Sequence, residues 1–586
     1  MDRLRRLAPI AALLFVAALQ IHRLDDADTW WHLASGRLIA GTQRIATGDP
    51  FSFTAPGAPW VNRQWLFDLG AYGLWQLAGP AGPILGAGAG FLLAFGCLYV
   101  VARRRMPAWA AAALIALATV TAAERFTVRP EAVTLGLLGV YVLVLDRPLT
   151  WARAMLLVGL QVMWANAHAL SVLGLVPLGA TLLAAFIGRR STGGERTPLG
   201  PILAATVGAV LAEAATPWGV RGALFPLVLL RDISGGQLVS HTIVEHRRTS
   251  LAELSPTVGK AFLALLLLAV VSALVSVRRL RVAPLVMAVA FGCTAFVARR
   301  NVALLGVGVV PLAAHALGPA AHALDAWLAR RARWLAVLPA VVVGLVLLVE
   351  TGRVVHGEWY AQAHLTRTFG LGSSLVLYPQ GAAEFLERQA PDARVFNDDL
   401  LGGLLLWNGY PRRRVFIDGR VQVYPPEVNG DWQRVLDDPR NFAEVAARWQ
   451  IGAVLLHHPS PGRLELAAAV ARTPGWRVAY LDGGGVVLLA DGVAPAAPEG
   501  MSGPTPAAST PGVSSLVEML VSPFRPAAEQ ATAYYQRGRA IHFLFGPPGF
   551  RAAHADFQAA LRLVPDFEPA RIGAAATASA AGGVER

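Results

Sequence analysis

Long apolar runs, separated by short polar stretches, fill the chain from residue 7 to residue 351, and mixed polar sequence follows. A helix needs about 20 apolar residues to cross a bilayer, and fewer where part of it lies inside a bundle. The pattern therefore predicts a multi-pass α-helical membrane bundle. We expect about eleven spans by this criterion, at 5–23, 81–102, 108–123, 131–146, 153–166, 169–188, 198–216, 258–277, 282–298, 301–318 and 334–351.

Short groups of arginines recur between the apolar runs. Loops on the cytoplasmic side of a membrane carry an excess of Arg and Lys. If the N-terminus is cytoplasmic, the predicted spans put each of these groups on the cytoplasmic side: Arg3/Arg5/Arg6, Arg103/Arg104/Arg105, Arg147/Arg153, Arg189/Arg190/Arg196, Arg278/Arg279/Arg281 and Arg330/Arg331/Arg333. The same topology places the loop 24–80 and the C-terminal region on the extracytoplasmic side.

Composition agrees with a membrane protein and excludes several other classes. Hydrophobic residues make up 55% of the chain and charged residues only 15%, so the lipid bilayer is an expected partner. The net charge of +13 does not indicate nucleic acid, because the arginines follow the topology and do not cluster on one aromatic-rich face. Cys97 and Cys293 lie in apolar runs, which excludes a disulfide framework. A bacterial inner membrane is the expected location.

The region after the last predicted span reads as a small extracytoplasmic α/β domain within 353–492. Short strands are predicted at 393–397, 414–418, 452–456 and 486–489, with helices at 441–449 and 463–472 between them. Residues 493–514 are rich in Pro, Ala, Ser, Gly and Thr, as in a flexible linker. With residues 1–352 as the bundle, this leaves 515–586 as a helical tail.

The tail is predicted to form one helical hairpin over 527–575. Its second half resembles a tetratricopeptide repeat, since Ala553, Phe557, Ala560 and Pro565 match that repeat's small, aromatic, small and proline positions. A packed hairpin without a binding role and a surface for an envelope protein partner remain equal alternatives.

The loop 24–80 is too long for a simple connection between spans, which indicates a function. Two aromatic-rich amphipathic helices are predicted in it, at 29–39 and 65–77, and helices of this kind often lie in the membrane interface. The run 25–32 precedes and opens the first of them. It contains three carboxylates, Asp25, Asp26 and Asp28, of which Asp26 and Asp28 are the candidates to accept a proton or hold a divalent cation. Its aromatic and polar side chains are candidates for substrate binding: Trp30, Trp31 and His32.

A structural interpretation of the same run stays open. The aspartates could cap the helix, and the tryptophans could belong to an aromatic belt. Capping explains one aspartate but not three, which favours a functional role for Asp28 or Asp26.

Further polar residues gather at the extracytoplasmic ends of predicted spans. Arg129 and Arg300 would suit a phosphate, because guanidinium groups pair bidentately with its oxygens. Glu131, His168 and Glu245 are further candidates for substrate binding. The alternative is local pairing of Arg129 with Glu124 or Glu131, and a structural hydrogen bond for His168. In the α/β domain, 397–399 and 418–420 follow predicted strands and could form either a site or ordinary turns.

Asp26-Ala27-Asp28 directly after the first span, two helices in the following loop and an α/β domain after the bundle together resemble the GT-C superfamily of membrane glycosyltransferases. The resemblance implies a polyprenyl-phosphate-linked sugar as donor. It also implies that Asp28 or Asp26 acts as the base or the metal-associated group, and that Arg129 or Arg300 holds the lipid phosphate.

The sequence thus favours a membrane glycosyltransferase that moves a sugar from a polyprenyl-phosphate carrier to an acceptor on the outer face of the membrane. A non-catalytic scaffold of the cell envelope, acting through its C-terminal soluble region, is the alternative. A transporter is a third option that the sequence disfavours, because it shows no internal duplication.

Overall fold

The computed structural model describes residues 2–189, 198–234, 247–276, 281–493 and 527–581. The chain divides into two compact units, each assembled from separated stretches of sequence. The first unit contains Met1–His22, Arg63–Phe67 and Gly82–Phe369, and the second contains Arg23–Asn62, Asp68–Ala81 and Gly370–Arg586. Residues 23–62, called the loop segment below, therefore pack in the same unit as the C-terminal region.

Helices dominate the described residues. Up to residue 362 they are α1 Asp2–Arg5, α2 Leu7–Gln20, α3 Asp28–Thr42, α4 Trp65–Ala78, α5 Ala81–Arg103, α6 Ala108–Ala122, α7 Glu131–Leu145, α8 Trp151–Ala167, α9 Leu175–Arg189, α10 Leu199–Ala212, α11 Gly219–Ser234, α12 Pro256–Ser276, α13 Val282–Val297, α14 Leu304–Arg331, α15 Leu338–Val355 and α16 Glu358–Gln362. Beyond it they are α17 Gln380–Gln389, α18 Asp399–Gly409, α19 Pro426–Asp437, α20 Phe442–Trp449, α21 Arg463–Arg472, α22 Ala527–Phe545, α23 Phe550–Leu563 and α24 Glu568–Ala581.

The described residues include six helices that are long and apolar enough to cross a membrane: Ala81–Arg103, Ala108–Arg125, Ala169–Gly188, Pro256–Ser276, Arg299–Arg331 and Leu335–Val355. Shorter apolar helices lie at Glu131–Leu145, Leu199–Ala212, Gly219–Val228 and Val282–Val297. The chain is an integral membrane protein. Each predicted span coincides with a helix, while the number of helices that cross the bilayer stays a prediction.

A buried arginine fixes the short stretch Arg63–Phe67 among the helices of the first unit. Arg63 is completely buried, and its guanidinium donates to Glu213 Oε2 at 2.7 Å and to the carbonyl oxygens of Ala165 and Gly222. Gln161 and Ser171 also donate to the Glu213 carboxylate. These bonds satisfy a charge pair that would otherwise be costly inside an apolar bundle.

The second unit contains a four-stranded mixed sheet in the order β1-β2-β4-β3. Its strands are β1 Arg394–Asn397, β2 Ile451–His457, β3 Trp476–Leu481 and β4 Gly485–Ala490. β1 and β2 are parallel, whereas β4 runs antiparallel to both β2 and β3. The predicted α/β alternation is present, but the sequence prediction missed β3.

The strand predicted at 414–418 is wrong, because this stretch makes only isolated bridges. Val415 bridges Val395 on one side and Ser52 of the loop segment on the other. After Val415, the backbone bonds to a side chain and not to a neighbouring strand. The Asn397 amide accepts a bond from Phe416 N and donates one to Ile417 O. The hydrogen bonds of this stretch therefore go to a side chain and to residues more than 350 positions earlier.

The predicted loop helices exist as α3 and α4, but α3 is not the interfacial helix that the sequence indicated. Trp30 and Trp31 are 3% and 5% exposed, and α3 packs against α18 of the C-terminal region. Its aromatic residues are covered by protein.

The tail forms three helices, α22 to α24, and not the predicted hairpin. Ala553, Phe557 and Ala560 are buried as the repeat-like pattern predicts, and Gly573 of α24 packs directly on the Phe557 ring. Glu529 of α22 accepts bonds from Leu375 N and from the Arg23 guanidinium, both at 2.8 Å. Of the predicted linker at 493–514, only Val493 lies within the described residues.

The Arg63–Glu213 pair gives a stability prediction. Arg63→Met leaves the Glu213 carboxylate buried without its cation, and we expect a loss of about 3 kcal/mol in the free energy of unfolding. Arg63→Met combined with Glu213→Leu should recover most of this loss, because an apolar pair carries no desolvation cost. Thermal unfolding in detergent micelles measures both variants.

The control is Arg104→Met, which removes a more exposed partner of Asp146 and should cost less than about 1 kcal/mol. A double variant as unstable as the single one would contradict this account of the pair.

Candidate functional site

The N-terminus of α3 holds the two aspartates that the sequence singled out, and the structure gives them different environments. Asp26 is buried, and its Oδ1 accepts a bond from the backbone N–H of Asp28, the first residue of α3, at 3.0 Å. The Asp28 carboxylate is partly buried and accepts a bond from the Trp31 indole N–H at 2.9 Å. The Asp26 carboxylate thus contacts the backbone of α3, and the Asp28 carboxylate contacts the Trp31 ring.

Two glycines of the C-terminal region allow close approach to this helix start. A Cβ on Gly403 of α18 would lie 2.8 Å from Trp31 N and 3.2 Å from Ala27 O. A Cβ on Gly419 would lie only 2.1 Å from Asp28 Oδ1. Because neither glycine has a side chain, α18 and the stretch around residue 419 both contact the first turn of α3.

Asp399 opens α18 and adds another carboxylate near Asp28. Burial and the negative charge of the neighbouring Asp398 raise the pKa of Asp399 to about 6, and the charge of Asp28 adds to this effect. A hydrogen bond from Leu400 N and the charge of Arg463 oppose the shift. Asp398 has a structural role, since its carboxylate pairs with Arg463 at 2.5 Å and accepts a bond from His457 N.

A buried arginine fixes residues 418–420, called the Asp-Gly-Arg bend below. Arg420 is completely buried between the carboxylates of Asp418 and Asp49, at 2.6 and 2.8 Å. The rings of Phe51 and Trp60 stack on its guanidinium, with centroids at 4.8 and 4.6 Å. The bend is thereby held against the loop segment.

The other predicted residues of α3 are buried in the second unit. The His32 ring lies 2.5 Å from Asp68 Oδ1, and Ser35 and Asn62 donate to the other oxygen of the same carboxylate. Trp30 contacts the rings of Trp75 and Tyr378 edge to face. These contacts resemble core packing and give no separate indication of substrate binding.

The first unit contains a second group of predicted residues, gathered around Glu131 at the start of α7. Arg125 pairs with the Glu131 carboxylate at 2.8 Å, and Arg129, Arg300 and His168 are near enough to interact with its charge. Arg125, Glu131 and Arg300 line one small cavity with Thr134 and Asn301. The three arginines around one carboxylate, called the basic cluster below, leave an excess of positive charge that would suit an anion.

Two neighbours of the basic cluster are engaged otherwise. Arg299 pairs with Glu124 at 3.0 Å, and His168 Nδ1 lies 2.7 Å from Thr134 Oγ1. Glu245 lies outside the described residues.

The predicted site residues thus form two groups. Asp26, Asp28, Trp30, Trp31 and His32 lie in the second unit, and Arg129, Glu131, His168 and Arg300 lie in the first. Within the described residues, no three His, Cys, Asp or Glu side chains lie close enough together to hold a metal ion. The divalent cation considered from the sequence therefore stays a prediction.

Comparison with solved structures shows the fold. The structure resembles the apo oligosaccharyltransferase of Archaeoglobus fulgidus with a TM-score of 0.51 at 13% identity, covering 77% of this chain and 69% of that one. ArnT from Cupriavidus metallidurans in the apo state matches at 18% identity, over 82% of this chain and 96% of that one, with a TM-score of 0.49. ArnT bound to undecaprenyl phosphate matches with a TM-score of 0.47 at 15% identity, over 83% of this chain and 98% of that one.

No family model and no curated protein matches the sequence. The likeness to the oligosaccharyltransferase concerns the fold, and it agrees with the helical bundle and following α/β domain that the sequence predicts.

Asp399 and Gly419 lie near Asp28 in the second unit, but the sequence did not assign either residue to the site. Asp399 and Gly419 were noted only as residues that follow strands, with turn chemistry as an equal alternative. The available signal was their position at strand ends, and nothing in the sequence pointed to Asp28 as their neighbour.

The raised pKa of Asp399 gives a pH-dependent stability prediction. The folded protein holds the proton of Asp399 up to about pH 6, whereas the unfolded chain releases it near the ordinary value of 3.8. Raising the pH from 4 to 7 should therefore destabilise wild type relative to Asp399→Asn, by about 2 to 3 kcal/mol. Thermal unfolding of both proteins across this range measures the difference.

Asp438→Asn is the control, because a hydrogen bond from Arg440 lowers the pKa of the Asp438 carboxyl. Wild type should not lose stability relative to this variant as the pH rises. A constant difference between wild type and Asp399→Asn from pH 4 to 7 would contradict the raised pKa.

Proposed function

We propose that the protein is a membrane glycosyltransferase that moves a sugar from a polyprenyl-phosphate carrier to an acceptor hydroxyl. The shared fold with a membrane oligosaccharyltransferase supports the class of reaction. The observation that carries the proposal for this chain is the environment of Asp28. Its partly buried carboxylate lies at the start of α3, accepts a bond from the Trp31 indole N–H and borders Gly419 of the C-terminal region.

Asp28 would act as the general base. Transfer to a hydroxyl requires a group that takes the hydroxyl proton as the oxygen attacks, and a positioned carboxylate supplies one. Its bond to Trp31 fixes one carboxylate oxygen and restricts the rotation of the side chain. Asp26 is less suited to this role, because its side chain is buried and its Oδ1 already accepts the backbone N–H of Asp28.

Asp399 would assist by holding a proton near Asp28. Two neighbouring carboxylates are costly to ionise together, and a pKa of about 6 lets Asp399 change its charge near neutral pH. With Asp399 protonated, the site carries one negative charge less, and Asp28 remains the proton acceptor.

The reaction we propose is a single displacement with inversion at the anomeric carbon. The acceptor oxygen bonds to the anomeric carbon while the bond from that carbon to the carrier phosphate oxygen breaks. The proton of the hydroxyl passes to Asp28, and the electron pair of the broken bond stays on the phosphate.

The basic cluster would bind the carrier phosphate. Arg125, Arg129 and Arg300 gather around the Glu131 carboxylate, and guanidinium groups pair bidentately with phosphate oxygens. This role rests on the chemistry of the first unit by itself. The extracytoplasmic side of a bacterial inner membrane remains the proposed location.

Substitution of Asp28 tests the proposed reaction. Asp28→Asn keeps the size of the side chain and removes the base, so we expect the rate of transfer to fall by about 100-fold or more. The assay is release of free polyprenyl phosphate in proteoliposomes that contain the host's own lipid-linked sugars, with the sugar identified by mass spectrometry of the product.

The matched control is Asp392→Asn, which changes an exposed aspartate of the same unit and should leave the rate unchanged. Equal rates for wild type and Asp28→Asn would remove Asp28 from the reaction. No release of carrier by wild type, with any lipid-linked sugar of the host, would contradict the proposed function.

A further inference from the structure

We propose that Gly419 is a positioning residue for Asp28, so that a segment of the C-terminal region sets the location of the proposed base. The inference rests on the proposed function and extends it to Gly419, which lies about 390 positions after Asp28 in the chain. The Asp-Gly-Arg bend becomes part of the site and is not merely a connection between α18 and α19.

Contact distances carry this inference. Asp28 Oδ1 occupies the space that any side chain at position 419 would need, since a Cβ there would lie 2.1 Å from it. The Trp31 Nε1 atom, which donates to the same Oδ1, would lie 3.2 Å from that Cβ. The absence of a side chain at Gly419 therefore lets the Asp28 carboxylate reach its bond with the indole.

The bend itself has little freedom to move away. Arg420 is anchored by Asp418, Asp49 and two aromatic rings, and its backbone N–H donates to Asp418 Oδ1 at 2.9 Å. α18 packs closely against the residue just before the bend, because a Cβ on Gly402 would lie 2.2 Å from Ile417 O.

An alanine at position 419 should consequently displace the carboxylate and leave the backbone in place. Asp28 Oδ1 is the end of a side chain held by a hydrogen bond to Trp31 and can shift at a lower cost than the backbone of the bend, which is fixed on both sides. The backbone of Gly419 is not in the left-handed region, so alanine meets no conformational penalty there. Gly419→Ala would then act as a displacement of Asp28 that keeps the carboxylate chemically intact.

The first test compares the kinetics of Gly419→Ala with those of wild type and Gly430→Ala. A misplaced base slows the chemical step, so kcat should fall by about 100-fold while the KM for the lipid-linked donor stays within about twofold. Gly430 lies in α19 with open space around its Cα, so Gly430→Ala should keep both parameters. Wild-type kcat in Gly419→Ala, together with a strong loss in Asp28→Asn, would overturn the positioning role and leave the proposed function intact.

The second test does not depend on activity. Thermal unfolding is measured for wild type, Gly419→Ala, Asp28→Ala and the double variant. If the added methyl group meets Asp28, Gly419→Ala lowers the unfolding temperature in wild type and has a clearly smaller effect when residue 28 is alanine. Equal effects in both backgrounds would show that the two residues do not interact, which would overturn the inference whatever the kinetics.

Retained activity in Asp28→Asn would overturn the inference through the function on which it rests. In that case the unfolding measurements still report whether the contact exists. The failure of the proposed base and the failure of the proposed contact are thereby distinguished.

Discussion

The Arg420 guanidinium, buried between Asp418 and Asp49, is the interaction on which the second unit's candidate site depends. A buried cation is tolerated only when carboxylates and further contacts replace its hydration. Here two carboxylates and the rings of Phe51 and Trp60 do so. The pair with Asp49 joins the Asp-Gly-Arg bend to the loop segment. Gly419 lies between two residues that this arrangement fixes, and it borders Asp28.

This arrangement explains why the site draws on distant parts of the chain. Asp28 begins α3, Asp399 begins α18, and Gly419 lies in the bend after α18. A carboxylate that must take a proton benefits from neighbours that are rigid, because rotation of the side chain lowers the fraction of time spent in the reactive geometry. The indole of Trp31 and the bend limit this rotation from two sides. The C-terminal region thus contributes directly to the proposed catalytic geometry.

The parts of this structure that depend on local pattern were predictable from sequence. Every predicted span coincides with a helix, because hydrophobic length is a property of one segment. Asp28 was identified for a similar reason, as it lies beside the first span and a predicted helix start. The strand at 414–418 was predicted wrongly, because its hydrogen bonds go to Asn397 and to the loop segment. One sequence contains no record of such distant pairing, and the approach of Asp399 and Gly419 to Asp28 was hidden for the same reason.

The proposed function depends on a polyprenyl-phosphate-linked donor, and a binding experiment with the carrier tests this dependence. Undecaprenyl phosphate is titrated into purified protein in nanodiscs, comparing wild type with Arg129→Ala combined with Arg300→Ala. The charge-matched control combines Arg330→Ala with Arg333→Ala, two exposed arginines of the same unit. The account predicts saturable binding by wild type and the control, weakened at least about tenfold without Arg129 and Arg300. No saturable binding by wild type, or equal binding by all three proteins, would contradict it.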